Sequence, residues 1–186
     1  MQQLTSNQRD DEWFEARIGV ATASRFSDIM AKGRNGSELA GRKNYRAQLV
    51  TERLTNNREE MRTSAAMEWG TDYEDVARLR YELKTGNSVT EGGFYKHDKL
   101  EAGASPDGFI DEDGLIEIKC PNTNTHIETL KRQDIPKQHY WQVMGQMWIT
   151  GRKWCDFVSF DPRLPEQAQL FITRIDRDDN AIKILS

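Results

Sequence analysis

The sequence predicts an α/β protein in which a central mixed β-sheet is flanked by α-helices. Up to Gly86 the apolar residues recur at helical spacing; after it, short runs rich in β-formers take over, with two more helical stretches among them. The 186 residues suit one core, and a hydrophobic content of 37% with five Trp, seven Phe and five Tyr supplies area to fill it. A single domain is expected, with a helical part over about residues 1–86 packed on a sheet-containing core over about residues 87–186.

The first helix runs from about Asp10 to Arg17 and stops at Gly19. Ser24 is placed as the N-cap of a second short helix whose apolar side is Phe26, Ile29 and Met30. Lys32-Gly33-Arg34-Asn35-Gly36 reads as an exposed basic loop. Tyr45, Leu49 and Leu54 set helical spacing between Gly41 and Asn57, and Tyr73, Val76, Ala77 and Arg80 share one face of a helix from about Met67 to Lys84. Ser88–Thr90, Gly93–Tyr95 and Leu100–Ser105 are strands, and Asp111-Glu112-Asp113-Gly114 is a turn. Leu115–Cys120 is the clearest strand, ended by Pro121. Helical patterns follow at about Thr125–Lys131 and Lys137–Thr150, the latter closed by Gly151, and Trp154–Phe160 and Leu170–Ile175 complete the strands.

With 26 Lys+Arg against 30 Asp+Glu the net charge is −4, which excludes a uniformly basic nucleic-acid coat but permits a local basic patch. No apolar run exceeds three residues, so neither a transmembrane helix nor a secretory signal is expected. Cys120 and Cys155 are the only thiols, too few for a disulfide scaffold or a cysteine zinc site, and a reducing cytoplasm is the simplest setting.

Leu115-Ile116-Glu117-Ile118-Lys119-Cys120 alternates as a strand does. Ile116, Ile118 and Cys120 face the expected core, and Glu117 and Lys119 lie side by side on the other face. Asp107 precedes Glu117 by ten residues, and a strand, a turn through Asp113-Gly114 and a second strand bring the two carboxylates together. Converging carboxylates suit a hard divalent cation such as Mg²⁺ or Mn²⁺, and an adjacent lysine suits a phosphoryl oxygen or an attacking water. Each part also has a plainer reading: Glu-x-Lys as a solvated pair on an exposed strand, and Ser105-Pro106-Asp107-Gly108 as a turn without chemistry.

Other candidates stand around this pair. Helical angle sets Glu74 at the edge of an apolar stripe, where a partly buried carboxylate needs a partner: a second metal, or an arginine such as Arg78 or Arg80. Gln142 lies opposite Tyr140, Val143, Met144 and Met147, so its helix presents it to a metal site, to DNA or to solvent. Arg17, Thr22, Ser24 and Arg34 combine arginines with hydroxyls at a helix start, which makes either an anion site or an ordinary cap beside surface arginines. His97, His126 and His139 lack metal-ligand spacing and read as surface or capping residues, with His139 beside the glutamines placed to meet a phosphate.

The pattern Pro106-Asp107…Glu117-Ile118-Lys119 resembles that of the restriction-endonuclease-like nuclease superfamily. Trp13–Ser24, Trp69-Gly70-Thr71-Asp72-Tyr73-Glu74, Ser105-Pro106-Asp107-Gly108, Glu117-Ile118-Lys119-Cys120-Pro121 and Gln142–Trp148 further resemble, in order, motifs of the phage lambda exonuclease family, the YqaJ-type viral recombinases. The likeness spans about residues 10–178, and longer members of the family continue into a C-terminal helix beyond the position of Ser186.

The resemblance implies a restriction-endonuclease-like core and a Mg²⁺-dependent 5′→3′ exonuclease, with Mn²⁺ able to substitute. Such an enzyme degrades one strand of duplex DNA and leaves 3′ single-stranded tails for a phage-type single-strand annealing protein. It further implies a ring-shaped homotrimer acting on double-stranded DNA ends in a bacterial or phage-infected cytoplasm, without a membrane partner. Asp107, Glu117 and the main-chain oxygen of Ile118 would hold metal, Glu74 would serve a second metal indirectly, and Lys119 and Gln142 would complete the catalytic set. Arg17, Thr22, Ser24 and Arg34 would hold the 5′-phosphate. A restriction-like or structure-specific endonuclease on the same fold, and a non-catalytic DNA-end-binding protein, are the alternatives.

Overall fold

The computed structural model describes residues 2–5, 7–58 and 64–186. The first half contains β1 (Gln2–Gln3), α1 (Asp11–Glu15), β2 (Ala21–Thr22), a 3-10 turn (Ala23–Arg25), α2 (Phe26–Met30), α3 (Ala40–Thr55) and α4 (Ala65–Thr85). The second half continues with β3 (Val89–Thr90), β4 (Tyr95–Lys96), β5 (Ala102–Ala104), β6 (Gly108–Ile110), β7 (Gly114–Lys119), α5 (Thr123–Arg132) and α6 (Lys137–Thr150). It ends with β8 (Trp154–Phe160), a 3-10 turn (Glu166–Ala168), β9 (Leu170–Asp176) and α7 (Asp179–Leu185).

Five strands form the main sheet in the order β3-β6-β7-β8-β9. It is mixed: β7 and β8 run parallel, with the helices α5 and α6 in the crossover, and the other neighbours are antiparallel. Both faces are covered. Ile116, Ile118 and Cys120 pack with Ala77 and Tyr81 of α4. Leu115, Cys155 and Phe157 on the opposite face pack with Val143, Met144 and Met147 of α6 and Ala181 of α7. This is the layered arrangement that two buried sheet faces require.

A second sheet, in the order β1-β4-β5-β2, lies beyond α6. Ala102 and Ala104 of β5 cluster with Ala23, Phe26 and Ile149, so α6 is buried on the side away from the main sheet as well. At Gly145 the packing is tight: an added Cβ would stand 2.4 Å from Cδ2 of Phe26.

Two expectations are corrected. The region before Gly86 is not purely helical, because β1 and β2 pair with β4 and β5 from the second half. Strands of two residues have no readable periodicity and exist only through that long-range pairing. Nor is Ser24 an N-cap: it lies inside the first 3-10 turn, and α2 starts after Arg25 without a side-chain cap. Among the described residues no helix is long and apolar enough to cross a membrane.

Candidate active site

The β6–β7 hairpin builds the centre. Gly108, the first residue of β6, pairs with Ile116, so Asp107 falls just before the strand and level with Glu117, where the Ile118 N–H donates to its Oδ2 at 2.6 Å. The N–H and C=O of one strand residue point to the same edge, so the Ile118 carbonyl faces the same gap. Asp111 closes the turn in a left-handed conformation, φ +47°.

Glu117 is 1% exposed, which overturns the solvated-pair reading. Its strand face is covered by α6, and α6 answers it with two glutamines one turn apart. Gln142 Nε2 donates to Oε1 and Gln146 Nε2 to Oε2, each at 2.5 Å. The Lys119 ammonium also pairs with Oε1. Burial, then the charge of Glu117, raises the Asp107 carboxyl well above the usual carboxylate range. Burial alone would lower Lys119, but the Glu117 and Asp107 carboxylates outweigh it and hold the ammonium above its ordinary value.

Glu74 reaches the same place from α4. It accepts from Arg9 Nη2 at 2.5 Å and has Arg78 Nη2 at 3.7 Å, whereas Arg80 pairs with Glu166. Glu74, Lys119, Cys120 and His139 line a cleft of about 530 Å³. The His139 ring stacks on Phe157 with centroids 5.5 Å apart. His126, expected near the surface, is instead fully buried, with its ring nitrogens on Ser159 Oγ and the Ala168 carbonyl.

The predicted anion cluster assembles in part. Arg17, Thr22 and Ser24 line a cavity of about 170 Å³ together with Ser105, Gln142 and Gln146. Arg17 lies over the Trp13 ring at 4.0 Å and donates to Ser105 Oγ at 3.1 Å; burial lowers its guanidinium to about 10. An adjoining cavity adds Arg25, Tyr45 and Arg58 to the same three residues. Arg34 is not brought in: it is exposed in the turn between Lys32 and Glu38, which bridge as an isolated pair, and it lines neither cavity.

Sequence reasoning passes over Gln146, Ser105, Arg9, Arg25, Tyr45 and Arg58. Gln146 carries a usable signal, since it follows Gln142 by one helical turn. Arg9 and Arg58 arrive by tertiary placement alone.

The donors fit a hard divalent cation. Among the described residues no group of three or more His, Cys, Asp and Glu side chains converges in the manner of a ligand cage. Two carboxylates and the Ile118 carbonyl are an all-oxygen set that leaves room for water and phosphate oxygens, as Mg²⁺ prefers. Burial and the Glu117 charge raise the Asp107 carboxyl although the Lys119 ammonium opposes them, and a divalent cation would favour its ionised form further.

Residues 12–153 match the YqaJ-like viral recombinase domain. No curated protein matches the chain. Among solved structures, the chain is similar to an alkaline exonuclease, LHK-Exo, from Laribacter hongkongensis, at 49% identity and a TM-score of 0.87, covering 95% of this chain and 87% of that one. The same enzyme in complex with dAMP gives 49% identity and 0.88 over the same shares of the two chains. A phage-related exonuclease from Haemophilus somnus 129PT, 15% identical with a TM-score of 0.70 over 88% of this chain and 87% of that one, shares the fold.

Proposed function

The chain belongs to the YqaJ-like viral recombinase family, with its restriction-endonuclease-like fold, and from that premise we propose a metal-dependent exonuclease that degrades one strand of duplex DNA from the 5′ end. That it is a DNA exonuclease follows from the family and from 49% identity to an alkaline exonuclease. Direction, metal and product are the finer reading.

One observation carries it. Gln142 and Gln146 hold both oxygens of Glu117 and also line the cavity of Arg17, Thr22 and Ser24. An anion pocket and a carboxylate centre thus share one pair of side chains. An enzyme that grips a terminal 5′-phosphate and cuts the adjoining bond needs this adjacency, whereas one cutting internal sites does not.

Asp107, Glu117 and the Ile118 carbonyl would hold Mg²⁺ or Mn²⁺, with Glu74 contributing indirectly. Bound there, the cation supplies positive charge against the negative charge that develops at the scissile phosphate. The glutamines fix the Glu117 carboxylate, so it is preorganised. Lys119, charged at neutral pH, is placed to hold a phosphoryl oxygen or orient the attacking water. Arg17 and the Thr22, Ser24 and Ser105 hydroxyls hold the terminal phosphate, Arg17 through charge-assisted bonds. The reading extends to a ring-shaped homotrimer on a DNA end and to 3′ tails handed to a single-strand annealing protein in a bacterial or phage-infected cytoplasm.

The test is digestion of a 5′-phosphorylated linear duplex beside a closed circle in Mg²⁺. The linear duplex should lose its 5′ strand and the circle should persist; nicking of the circle would favour the endonuclease reading. Asp107→Asn and Glu117→Gln should each slow cleavage by ~10³-fold or more with unchanged circular dichroism. More than a tenth of wild-type rate in either would remove that residue from the centre.

A further inference from the structure

Arg9 stands where the cleft and the end cavity meet, and nothing in the mechanism above uses it. Among the described residues it alone lines both spaces: the cleft beside Lys119 and His139, and the cavity beside Arg17, Ser24 and Gln142. Its backbone sits at φ +68°, a left-handed conformation that glycine adopts freely and a side chain opposes. The segment is held there on either side. Gln8 Nε2 donates to the Gly92 and Pro106 carbonyls, both at 2.7 Å, and Asp10 caps α1 through the Trp13 N–H at 2.8 Å.

That conformation delivers the guanidinium to Glu74 at 2.5 Å while leaving 46% of the side chain exposed. Glu74 keeps Arg78 at 3.7 Å, so withdrawal of Arg9 does not strand a lone carboxylate. A strand with its terminal phosphate on Arg17 and its next bond at Asp107 and Glu117 runs past the residue that lines both spaces.

We propose that Arg9 is a positioning residue that exchanges Glu74 for a phosphate oxygen of the DNA strand running from the end cavity to the carboxylates. Its planar donors suit a phosphate as well as a carboxylate. The role rests on the exonuclease reading and adds a contact between its two subsites.

The informative variant is Arg9→Gly, because glycine relieves the left-handed backbone while deleting the guanidinium. Its melting temperature should equal or exceed that of wild type. Binding of a 5′-phosphorylated duplex is followed by fluorescence anisotropy over a salt series, with Ca²⁺ replacing Mg²⁺ to hold off cleavage. Arg9→Gly should raise Kd about tenfold and reduce the slope of log K against log salt by about one phosphate contact. Arg9→Lys should restore most of that slope.

Unchanged affinity and slope in Arg9→Gly would overturn the proposal. A lowered melting temperature with an unchanged slope would also overturn it, by marking Arg9 as a structural anchor for Glu74. Digestion of the linear duplex by wild type is measured alongside. An inactive wild type would defeat the exonuclease reading, and an active one with an indifferent Arg9→Gly would defeat the Arg9 role alone.

Discussion

Gly145→Ala and Gly70→Ala make a matched pair in which the same chemical change should have opposite effects. Both glycines lie inside helices, α6 and α4, where alanine is favoured by about 0.8–1 kcal/mol. At Gly70 an added Cβ meets nothing within 4 Å, so the variant should keep the whole gain, a rise of roughly 2–4 °C in melting temperature. At Gly145 the Cβ would stand 2.4 and 2.6 Å from ring atoms of Phe26 and 3.2 Å from the Ala23 Cβ. Carbon atoms prefer about 3.5–4.0 Å, so the ring must retreat by about 1 Å or more. Phe26 is 3% exposed and sits against Trp148, which leaves it little room. Overpacking of this kind costs about 1–3 kcal/mol, and the helix gain offsets part of it, for a net loss of roughly 0–2 kcal/mol. The retreat also pushes the turn carrying Ser24 away from Gln142 and Gln146. The advantage of a 5′-phosphate over a 5′-hydroxyl substrate should therefore shrink more than the hydroxyl rate does. Thermal melts and paired digestion rates measure both effects. A Gly145→Ala protein as stabilised as Gly70→Ala, with its phosphate preference intact, would refute the packing account.

Lys119→Ala should retain Mn²⁺ binding by calorimetry while turnover collapses; affinity falling in step with rate would make the lysine a partner of the carboxylates only. Arg17→Ala should slow 5′-phosphorylated substrate by about ten- to a hundredfold for a lost contact of ~1.5–3 kcal/mol, and the hydroxyl substrate far less. Arg34→Ala, outside the cavity, should leave that preference alone, and loss of preference there would contradict the cavity assignment. Burial, then the Lys119 charge, pulls the His139 imidazole down to about 4. Its contribution to stability is then full above the unfolded value of about 6.5 and is lost as pH falls through about 4. His139→Phe should flatten the acid limb of urea-derived stability by up to roughly 3 kcal/mol, at ~1.4 kcal/mol per pH unit; a limb as steep as in wild type would exclude His139 as its source.

The central hairpin is legible in the sequence because its signals are local. Alternation and β-branched residues mark Leu115–Cys120, and a short turn returns the chain past Asp107, as β6 and β7 do. Alternation does not reveal that both sheet faces are covered, so Glu117 reads as solvated until α6 lies on it. Helix α6 is legible over Lys137–Thr150, the range it occupies, but the spacing does not show that it is buried against two sheets at once. Helix α7 does carry a cue: Asp178 accepts from the N–H groups of Asn180 and Ala181, a cap that a serial search for Asp before Ala181 and Ile182 would find. Arg34 marks a different limit. A basic loop near an anion motif is compatible with phosphate contact, but composition does not say which way the loop projects.

The position of the carboxylates on a hairpin also has a consequence for the order in which the molecule assembles. Asp107 and Glu117 meet when a loop of Asp111–Asp113 closes, whereas β8 reaches β7 only after residues 120–153 have looped back. The longer closure costs about 2 kcal/mol more in chain entropy, and isolated hairpins form within microseconds. The mutually repelling carboxylates are thus brought together by the fastest local event, while Gln142, Gln146 and Glu74, which engage or neighbour them, arrive by slow non-local docking. Only Lys119 of their partners arrives with the hairpin, so divalent cations and mild acid, which relieve the remaining repulsion, should accelerate hairpin closure during refolding and leave the docking step to be set by topology.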